Sequence, residues 1–446
     1  MTHGSAIDTT LLAIAVVVLV GVVAGHALRR FGQPAVVGEI IAGVLLGPSA
    51  LGVLPGHLMA RLFTTDAQHA LSILGQVGLL VFMFALGATM EHEALSGRGA
   101  QVTAISLAGL LVPFGAGLLL AVAVHAWWPS GEEPSASLLA FTLFLGADMS
   151  VTAWPVLARL LADQRLDRTR LGSTCLAIAA VIDIAAWLLL VAVVAVVRSS
   201  GPGELLRLAS SALGLVLLTR HLVRPLLRRA LDRYAGGAVP PAAAAVMLAA
   251  ILVMSWVTVA VGLHQIFGAF LLGLAMPRGR LHPVTVSVLE RLQGVGTLLL
   301  PLFFVTVGLA VDVRALTPWA LLVLVVVLVV GSTSKVASVG TAARLTGEPW
   351  RAAITMGTLM NTRGLTELAV LDVGFSLGVL SKEMFAVLII ASITGTSLTV
   401  PALRIIRLDP DAEALRPYGT GGAEGAGDER RDHEPDAAVI AGRMAS

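Results

Sequence analysis

The feature that most constrains this chain is a succession of apolar runs, each about 20 residues long, along most of its length. A helix of that length crosses the hydrocarbon core of a bilayer, because each residue advances a helix by about 1.5 Å. Membrane β-barrels instead use alternating segments of roughly ten residues. With 57% hydrophobic and 13% charged residues, the chain is not composed like a water-soluble globule. We therefore predict an all-α integral membrane protein.

The apolar runs define about thirteen transmembrane segments. They cover residues 9–27, 34–54, 70–90, 101–127, 137–158, 171–197, 205–223, 240–262, 264–277, 293–311, 317–343, 352–375 and 383–405. We predict one transmembrane domain over residues 1–408, followed by a disordered cytoplasmic tail over residues 409–446. The single cysteine, Cys175, excludes an internal disulfide and a cysteine-based metal site.

Basic residues concentrate in alternate loops, and this pattern orients the segments. The loops that follow odd-numbered segments hold Arg29, Arg30, Arg98, Arg165, Arg168, Arg170, Arg224, Arg228, Arg229, Arg233, Arg278, Arg280, Arg344 and Arg351. The loops after even-numbered segments hold only scattered cations. Because cytoplasmic loops carry the excess of Arg and Lys, we predict a multi-pass protein of the cell membrane with its N-terminus outside and its C-terminus in the cytoplasm.

One residue pattern occurs twice, seven segments apart. Phe82, Gly87, Glu91 and Leu95 have the same spacing as Phe303, Gly308, Asp312 and Leu316, and Gly38, Gly43 and Pro48 correspond to Gly268, Gly273 and Pro277. An odd offset makes the second copy enter the membrane from the opposite side. The pattern thus predicts an inverted repeat, an architecture typical of secondary transporters.

Two of the segments paired by this offset carry polar residues and helix breakers at mid-membrane depth. They are Asp148, Ser150, Thr152 and Pro155 in segment 137–158, and Asn361, Thr362, Arg363, Gly364 and Glu367 in segment 352–375. Open backbone is tolerated in a bilayer only where protein buries it or where it lines a cavity. We predict two discontinuous helices that cross near the midplane, where carbonyls and half-helix ends can hold a cation. The alternative is a simple kink in each helix.

Charged residues inside the membrane are the candidate functional groups. Asp183 is centred in segment 171–197, where an ionised carboxylate is costly unless it is paired or hydrated, and such residues mark ion or proton pathways. Lys335 is its natural counter-ion, or else extends to the interface. Arg363 and Glu367 are spaced i, i+4 and can neutralise each other. Asp148 lies close enough to the first predicted break to face the same cavity, or it lies on the hydrated side of a half-helix.

With these residues in view, the chain resembles the monovalent cation:proton antiporter family, specifically the sodium/proton-exchanger membrane domain of bacterial and plant cation/proton exchangers. The resemblance covers about residues 10–405. The matching stretches are Gln33 to Ile40, Ser150 to Arg159, Asp183 with Ala185 to Trp187, Gly268 to Phe270, Leu300 to Phe304, and Asn361 to Gly364. The chain departs from the family pattern at Ile182, where Asn or Asp is usual, and at Asp148, where a small or apolar residue is usual.

The resemblance implies a homodimer in the lipid bilayer with the sodium/proton antiporter fold. Scaffold helices would cover residues 9–90 and 240–311, core helices 101–197 and 317–405, and a linker helix 205–223. The implied activity is secondary active exchange of protons for Na⁺ or K⁺ by alternating access, with no cofactor, no enzymatic step and no nucleic-acid partner. Asp183 would bind the proton and the cation in turn, with Lys335 paired to it. Thr152, Ser150, Asp148 and the crossing-helix residues would complete the site.

Three alternatives share some of these features. A cation channel has similar helices but needs no titrating carboxylate at a closed midplane site. A sodium-coupled symporter has a related crossed-helix fold but needs a roomier polar cavity. An intramembrane aspartyl protease requires two opposed aspartates, for which Asp148 and Asp183 are candidates, but the Gly-x-Gly-Asp context typical of such proteases is absent.

Overall fold

A computed structural model of the protein describes residues 3–31, 33–55, 57–89, 99–128, 136–164, 166, 169–198, 201–234, 239–277 and 281–406. The α-helices are α1 (His3–Arg30), α2 (Ala35–Leu46), α3 (Leu58–Leu62), α4 (Thr65–Thr89), α5 (Gly99–Trp127), α6 (Leu138–Ser150), α7 (Trp154–Asp163), α8 (Arg170–Arg198), α9 (Pro202–Leu218), α10 (Arg224–Asp232), α11 (Pro241–Ala260), α12 (Gln265–Leu274), α13 (His282–Leu309), α14 (Pro318–Leu345), α15 (Trp350–Met360), α16 (Leu365–Ser376) and α17 (Lys382–Ile406). A π-helical turn, Thr219–Val223, joins α9 to α10.

The prediction of an all-helical membrane protein is confirmed. Eleven stretches of the described residues are helical, long and apolar enough to cross a bilayer. Segment 264–277 contains only the 10-residue helix α12, and segment 352–375 is divided into α15 and α16. Neither of these two segments is among the eleven, so the total of thirteen crossings stays a prediction.

The long helices form two bundles. In the first bundle, α1, α2, α4, α11, α12 and α13 pack mainly on one another. In the second, α5 to α8 pack with α14 to α17. The helix α9 packs on α8 of the second bundle, and the turn that follows it packs on α12 of the first. The segment 205–223 therefore connects the two bundles in space as well as in sequence.

The glycines of the repeated pattern lie where helices of the first bundle approach most closely. A Cβ on Gly43 of α2 would collide with α13 at Gly308, and a Cβ on Gly308 would collide with α2 in return. Gly87 of α4 and Gly273 of α12 oppose each other in the same way. Thus α2 packs on α13 as α12 packs on α4, which is the arrangement expected of an inverted repeat.

Both predicted helix interruptions are present in the second bundle. The helix α6 ends at Ser150 and α7 begins at Trp154, with extended backbone between them. Pro155 is tolerated in the first turn of α7, where an N–H has no intrahelical acceptor. In the other broken helix, Gly364 precedes α16 with φ of 152°, a conformation that L side chains rarely adopt. This glycine lets the chain change direction between α15 and α16.

Several predictions concern residues outside the described part of the chain. They include the repeat residues Glu91 and Leu95, the loop residues Arg98, Arg165, Arg168, Arg278 and Arg280, and the tail 409–446.

Candidate functional site

The two interrupted helices meet through their open backbone. The N–H of Ala153 donates to the carbonyl of Thr362 at 3.0 Å, and the hydroxyl of Thr152 donates to the carbonyl of Met360 at 3.1 Å. Both acceptors lie at the end of α15, more than 200 residues along the chain from their donors. These bonds satisfy backbone groups that neither half-helix can pair internally.

Asp183 lies at this crossing. Its side chain is fully buried in the middle of α8, and its Oδ2 accepts a hydrogen bond from the N–H of Trp154 at 3.2 Å. That amide belongs to the first turn of α7, where the helix dipole is positive and favours a nearby anion. Oδ1 has no hydrogen-bond partner among the described residues. Asp183 therefore has one oxygen held by protein and a second available to a proton or a metal ion.

Lys335 is buried in α14, but it does not reach Asp183 directly. Its ammonium donates to the carbonyl of Ser150 at 2.6 Å and to that of Gly109 at 2.9 Å. Among the charged groups that the structure describes, no direct ion pair joins Lys335 to Asp183, although the two interact electrostatically. The ammonium instead stabilises the carboxyl-terminal end of α6, where the helix dipole is negative.

A proline explains why Gly109 can accept this bond. Pro113 lies inside α5 and lacks the N–H that would pair with the carbonyl four residues earlier, which is that of Gly109. The hydroxyl of Ser150 is shared between two carbonyls, that of Gly146 in its own helix at 2.9 Å and the neighbouring one of Leu110 in α5 at 3.1 Å. The opened turn of α5 is therefore satisfied by side chains from α14 and from the end of α6.

The second interruption is stabilised by an ion pair. Arg363 Nη1 lies 2.7 Å from Glu367 Oε1, so the predicted i, i+4 pair is present in the structure. The other carboxylate oxygen of Glu367 accepts from the hydroxyl of Ser392 at 2.8 Å. Thr396, one turn further along α17, donates to the carbonyl of Arg363 at 2.6 Å. The helix α17 thus supports both members of the Arg363–Glu367 pair.

Asn361 also lies at the second interruption. Its amide nitrogen donates to the hydroxyl of Ser332 on α14 at 3.2 Å, whereas its Oδ1 is buried without a partner among the described residues. The hydroxyl of Thr362 turns back to the carbonyl of Leu359 at 2.6 Å. Their side chains are therefore engaged mainly in holding the interruption together.

Asp148 belongs to a different neighbourhood from Asp183. Its side chain is 1% exposed, and neither carboxylate oxygen has a hydrogen-bond partner in the part of the chain that the structure describes. The charged groups that act on it are Glu367 and Arg363, and Nη2 of Arg363 lies 3.7 Å from the sulfur of the adjacent Met149. The structure brings Asp148 together with the arginine–glutamate pair, not with Asp183.

Comparison with known proteins identifies the family. The sequence profile of a family described as "Sodium/hydrogen exchanger, transmembrane" matches residues 13–405. The chain belongs to the sodium/hydrogen exchanger family. This is a family of transporters, so the intramembrane protease alternative does not apply.

Curated relatives of this exchanger-family chain come from plants, a cyanobacterium and yeast. Cation/H(+) antiporter 20 of Arabidopsis thaliana is 35% identical over 390 residues, covering 84% of this chain and 45% of the relative. Na(+)/H(+) antiporter NhaS4 of Synechocystis sp. is 35% identical over 409 residues, covering 88% and 97%. K(+)/H(+) antiporter 1 of Saccharomyces cerevisiae is 30% identical over 403 residues, covering 86% and 45%. The chain spans about half the length of the plant and yeast relatives.

A solved structure shares the fold of this exchanger-family chain. It is the sodium proton antiporter MjNhaP1 from Methanocaldococcus jannaschii at pH 8, with a TM-score of 0.65 over 90% of this chain and 98% of the other. Sequence identity is 14%, so the likeness concerns the fold alone. The predicted sodium/proton antiporter fold is thereby confirmed.

Several groups at the exchanger's site were missed by sequence reasoning. The amide of Trp154 could have been found from Pro155, because a proline in a first turn marks the free amides of that turn. Pro113 indicates an unpaired carbonyl at Gly109 by the same logic. Ser392 and Thr396 are spaced i, i+4 in an apolar segment, a spacing that puts two hydroxyls on one helix face.

Proposed function

We propose that this exchanger moves protons against a small monovalent cation, Na⁺ or K⁺, by alternating access, and that Asp183 binds the two in turn. The observation that carries the proposal is the geometry of Asp183, which is fully buried with one oxygen on the amino-terminal end of α7 and the other without a partner among the described residues. A buried carboxylate needs either a proton or a cation to balance its charge. A proton bound to Asp183 therefore excludes a bound cation, and a bound cation excludes a proton.

The remaining cation ligands are oxygen atoms at the crossing. Monovalent and other hard cations prefer carbonyl, hydroxyl and carboxylate oxygens, and the extended backbone of residues 151–153 supplies carbonyls outside any helix. The hydroxyl of Thr152 completes the set. Ser150 and Lys335 act as positioning groups, because they hold the end of α6 against α5. Asn361, Thr362, Arg363 and Glu367 hold the second interruption.

Alternating access is a relative movement of the two bundles. The scaffold is the bundle over residues 9–90 and 240–311, and the moving core is the bundle over residues 101–197 and 317–405. The helix of segment 205–223 contacts both bundles and links them during the movement. Asp183 and both interrupted helices belong to the core. The ion site would therefore move as one unit.

Two further parts of the proposal concern the cellular setting. The protein lies in the cell membrane with its N-terminus outside and its C-terminus in the cytoplasm, on the strength of the arginine-rich odd-numbered loops. It functions as a homodimer, as the family resemblance implies. Labelling of single introduced cysteines from either side of sealed vesicles tests the orientation. Mass measurement of the detergent-solubilised protein tests the oligomeric state.

The decisive experiment is exchange by purified protein in proteoliposomes. A pH-sensitive dye inside acidified vesicles reports proton efflux when Na⁺, K⁺, Li⁺ or Rb⁺ is added outside. The relatives named for Na⁺ and K⁺ make these two the first cations to compare. We expect saturable, cation-dependent proton efflux from wild-type protein. Cation flux that is not coupled to protons would favour a channel and would overturn the proposal.

A further inference from the structure

A cavity of about 260 Å³ with apolar and polar walls lies between the two bundles. The cavity lies toward the side of the membrane at which α4 begins and α13 ends. It is separate from the crossing of the two interrupted helices. The α4 wall contributes Gln68, Ser72 and Gln76, which are spaced four residues apart and so line one face of the helix on successive turns. Thr306 of α13 adds a hydroxyl to the same cavity.

Asp372 of α16 projects into this cavity from the core bundle. It is the one charged residue among the described residues that line it, and its carboxylate makes no hydrogen bond or ion pair with any other described residue. A carboxylate in such a position is costly unless water or a cation solvates it. The position of Asp372 in the cavity wall gives its carboxylate access to water and to cations.

The cavity has room for a solvated ion. A water molecule occupies about 30 Å³ in the liquid, so roughly eight waters, or a cation with most of its hydration shell, fit inside. Asp372 comes eight residues after Gly364, which places it about 12 Å along α16 from the crossing at a rise of 1.5 Å per residue. The helix α16 thus runs from the cavity to the second interruption.

We propose that this cavity is a vestibule in which Asp372 concentrates a hydrated monovalent cation before the cation reaches Asp183. The inference rests on the proposed exchange function for its purpose, but the attraction of cations can be measured without transport. A single carboxylate in a cleft with low-dielectric walls focuses its field into the cleft and raises the local cation concentration. The polar stripe on α4 and Thr306 would replace part of the ion's water.

The test uses thiol labelling in the full-length protein. Cys175 is replaced by Ala, and Ser72→Cys places a single thiol in the cavity wall. Its modification rate is measured with two methanethiosulfonates of similar size, one carrying a trimethylammonium group and one neutral, applied from each side of sealed vesicles. We expect a faster reaction with the cationic reagent, and Asp372→Asn should lower the ratio of the two rates by about 5-fold to 10-fold.

Two variants make the result specific. Asp372→Glu keeps the charge and should keep the preference. Asp66→Asn removes a carboxylate in the first turn of α4 that is exposed and does not line the cavity, and it should change nothing. An equal ratio in wild type and Asp372→Asn, or no labelling of Ser72→Cys by either reagent from either side, would overturn the proposal.

Transport measurements separate this inference from the proposed function. With Na⁺ or K⁺ supplied at the cavity side, Asp372→Asn should raise KM several-fold and leave kcat within a factor of two, because Asp183 is intact. High ionic strength should erase the difference by screening. A wild-type protein that shows the labelling preference but no exchange would defeat the proposed function alone. Normal exchange without the labelling preference would defeat only the vestibule.

Discussion

Two buried aspartates of the core bundle, Asp183 and Asp148, lie on the two sides of the interruption between α6 and α7. Asp183 accepts a hydrogen bond from the first turn of α7, where the helix dipole is positive. Asp148 belongs to the last turn of α6, where the dipole is negative, and neither of its oxygens is paired within the described residues. Helix ends therefore stabilise a charge on the first carboxylate and disfavour it on the second. Burial alone does not identify an ion site.

The neighbouring charges sharpen this difference. Lys335 acts from a distance on Arg363 and Glu367 as well as on Asp183, while it stabilises the end of α6. Arg363 is already paired with Glu367, so the cluster that contains Asp148 has two acids and one base. An ionised Asp148 would be buried beside the carboxylate of Glu367 with no hydrogen-bond donor among the described residues, which is costly. We therefore expect Asp148 to keep a bound proton through the cycle, while Asp183 exchanges its proton for a cation.

The largest expected effect follows from removing one carboxylate at a time. Asp183→Asn should reduce cation-driven proton flux to the level of protein-free vesicles, because an amide cannot exchange a proton for a cation. Asp148→Asn should retain most of the flux. Dequenching of the pH dye measures both, and thermal melting checks that each variant is folded. Loss of flux in a folded Asp148→Asn would break the distinction between the two sites.

The second prediction concerns the arginine that serves the Asp148 cluster. Arg363→Ala removes the only base of the trio and should destabilise the protein by about 3–5 kcal/mol, because it leaves the buried carboxylate of Glu367 without its partner. Because Asp148 is expected to be protonated and neutral, Asp148→Asn should not relieve this loss, and the effects of the two changes on the free energy of unfolding should add in the double variant. Thermal melting of the wild type, the two single variants and the double variant gives the interaction free energy between the two residues. A double variant that is clearly more stable than this sum would contradict the prediction, because it would mean that Asp148 is ionised beside Arg363.

An effect on stability of similar size is expected at Lys335. Lys335→Ala leaves the carbonyls of Ser150 and Gly109 without a donor, at a cost of about 1–3 kcal/mol for each buried acceptor left unpaired. Pro113→Ala restores an N–H that can pair with Gly109 within α5, so the double variant should lose less than the sum of the single variants. The melting temperatures decide this. If Pro113→Ala gives no relief, the assigned role of the Gly109 carbonyl is wrong.

The sequence predicted the membrane fold and both helix interruptions because those depend on local chemistry. Long apolar runs, Pro155 and Gly364 act within a few residues of themselves. The repeated glycines were recognisable because close helix packing requires them at fixed intervals, as the pairing of Gly43 with Gly308 illustrates. Most of the helical architecture therefore follows from patterns that are local in the sequence.

The contacts between residues of the site were harder to predict from the sequence, because they depend on the register between helices that are distant along the chain. Nothing in the sequence near Lys335 specifies that its ammonium ends on Ser150 and not on Asp183. Asp148 comes two residues before Ser150 in the sequence, yet the helical turn of α6 directs its carboxylate toward Arg363 and Glu367. A helix rotates about 100° per residue, so nearness in sequence does not fix which neighbour a side chain faces.

The smallest expected effect is the response of exchange to membrane potential. If Asp183 alone carries the exchanged charge, one proton moves against one monovalent cation, and no net charge crosses the membrane. A cycle that moved one net charge would gain or lose about 2.3 kcal/mol per 100 mV, so an electroneutral cycle is distinguishable from it. We expect exchange rates in vesicles clamped at zero and at an imposed potential to be equal, because the environment of Asp148 separates it from the ion site. A marked dependence on potential that disappears in Asp148→Ala would show the opposite, namely that the two carboxylates titrate as a coupled pair and that a second proton moves in each cycle.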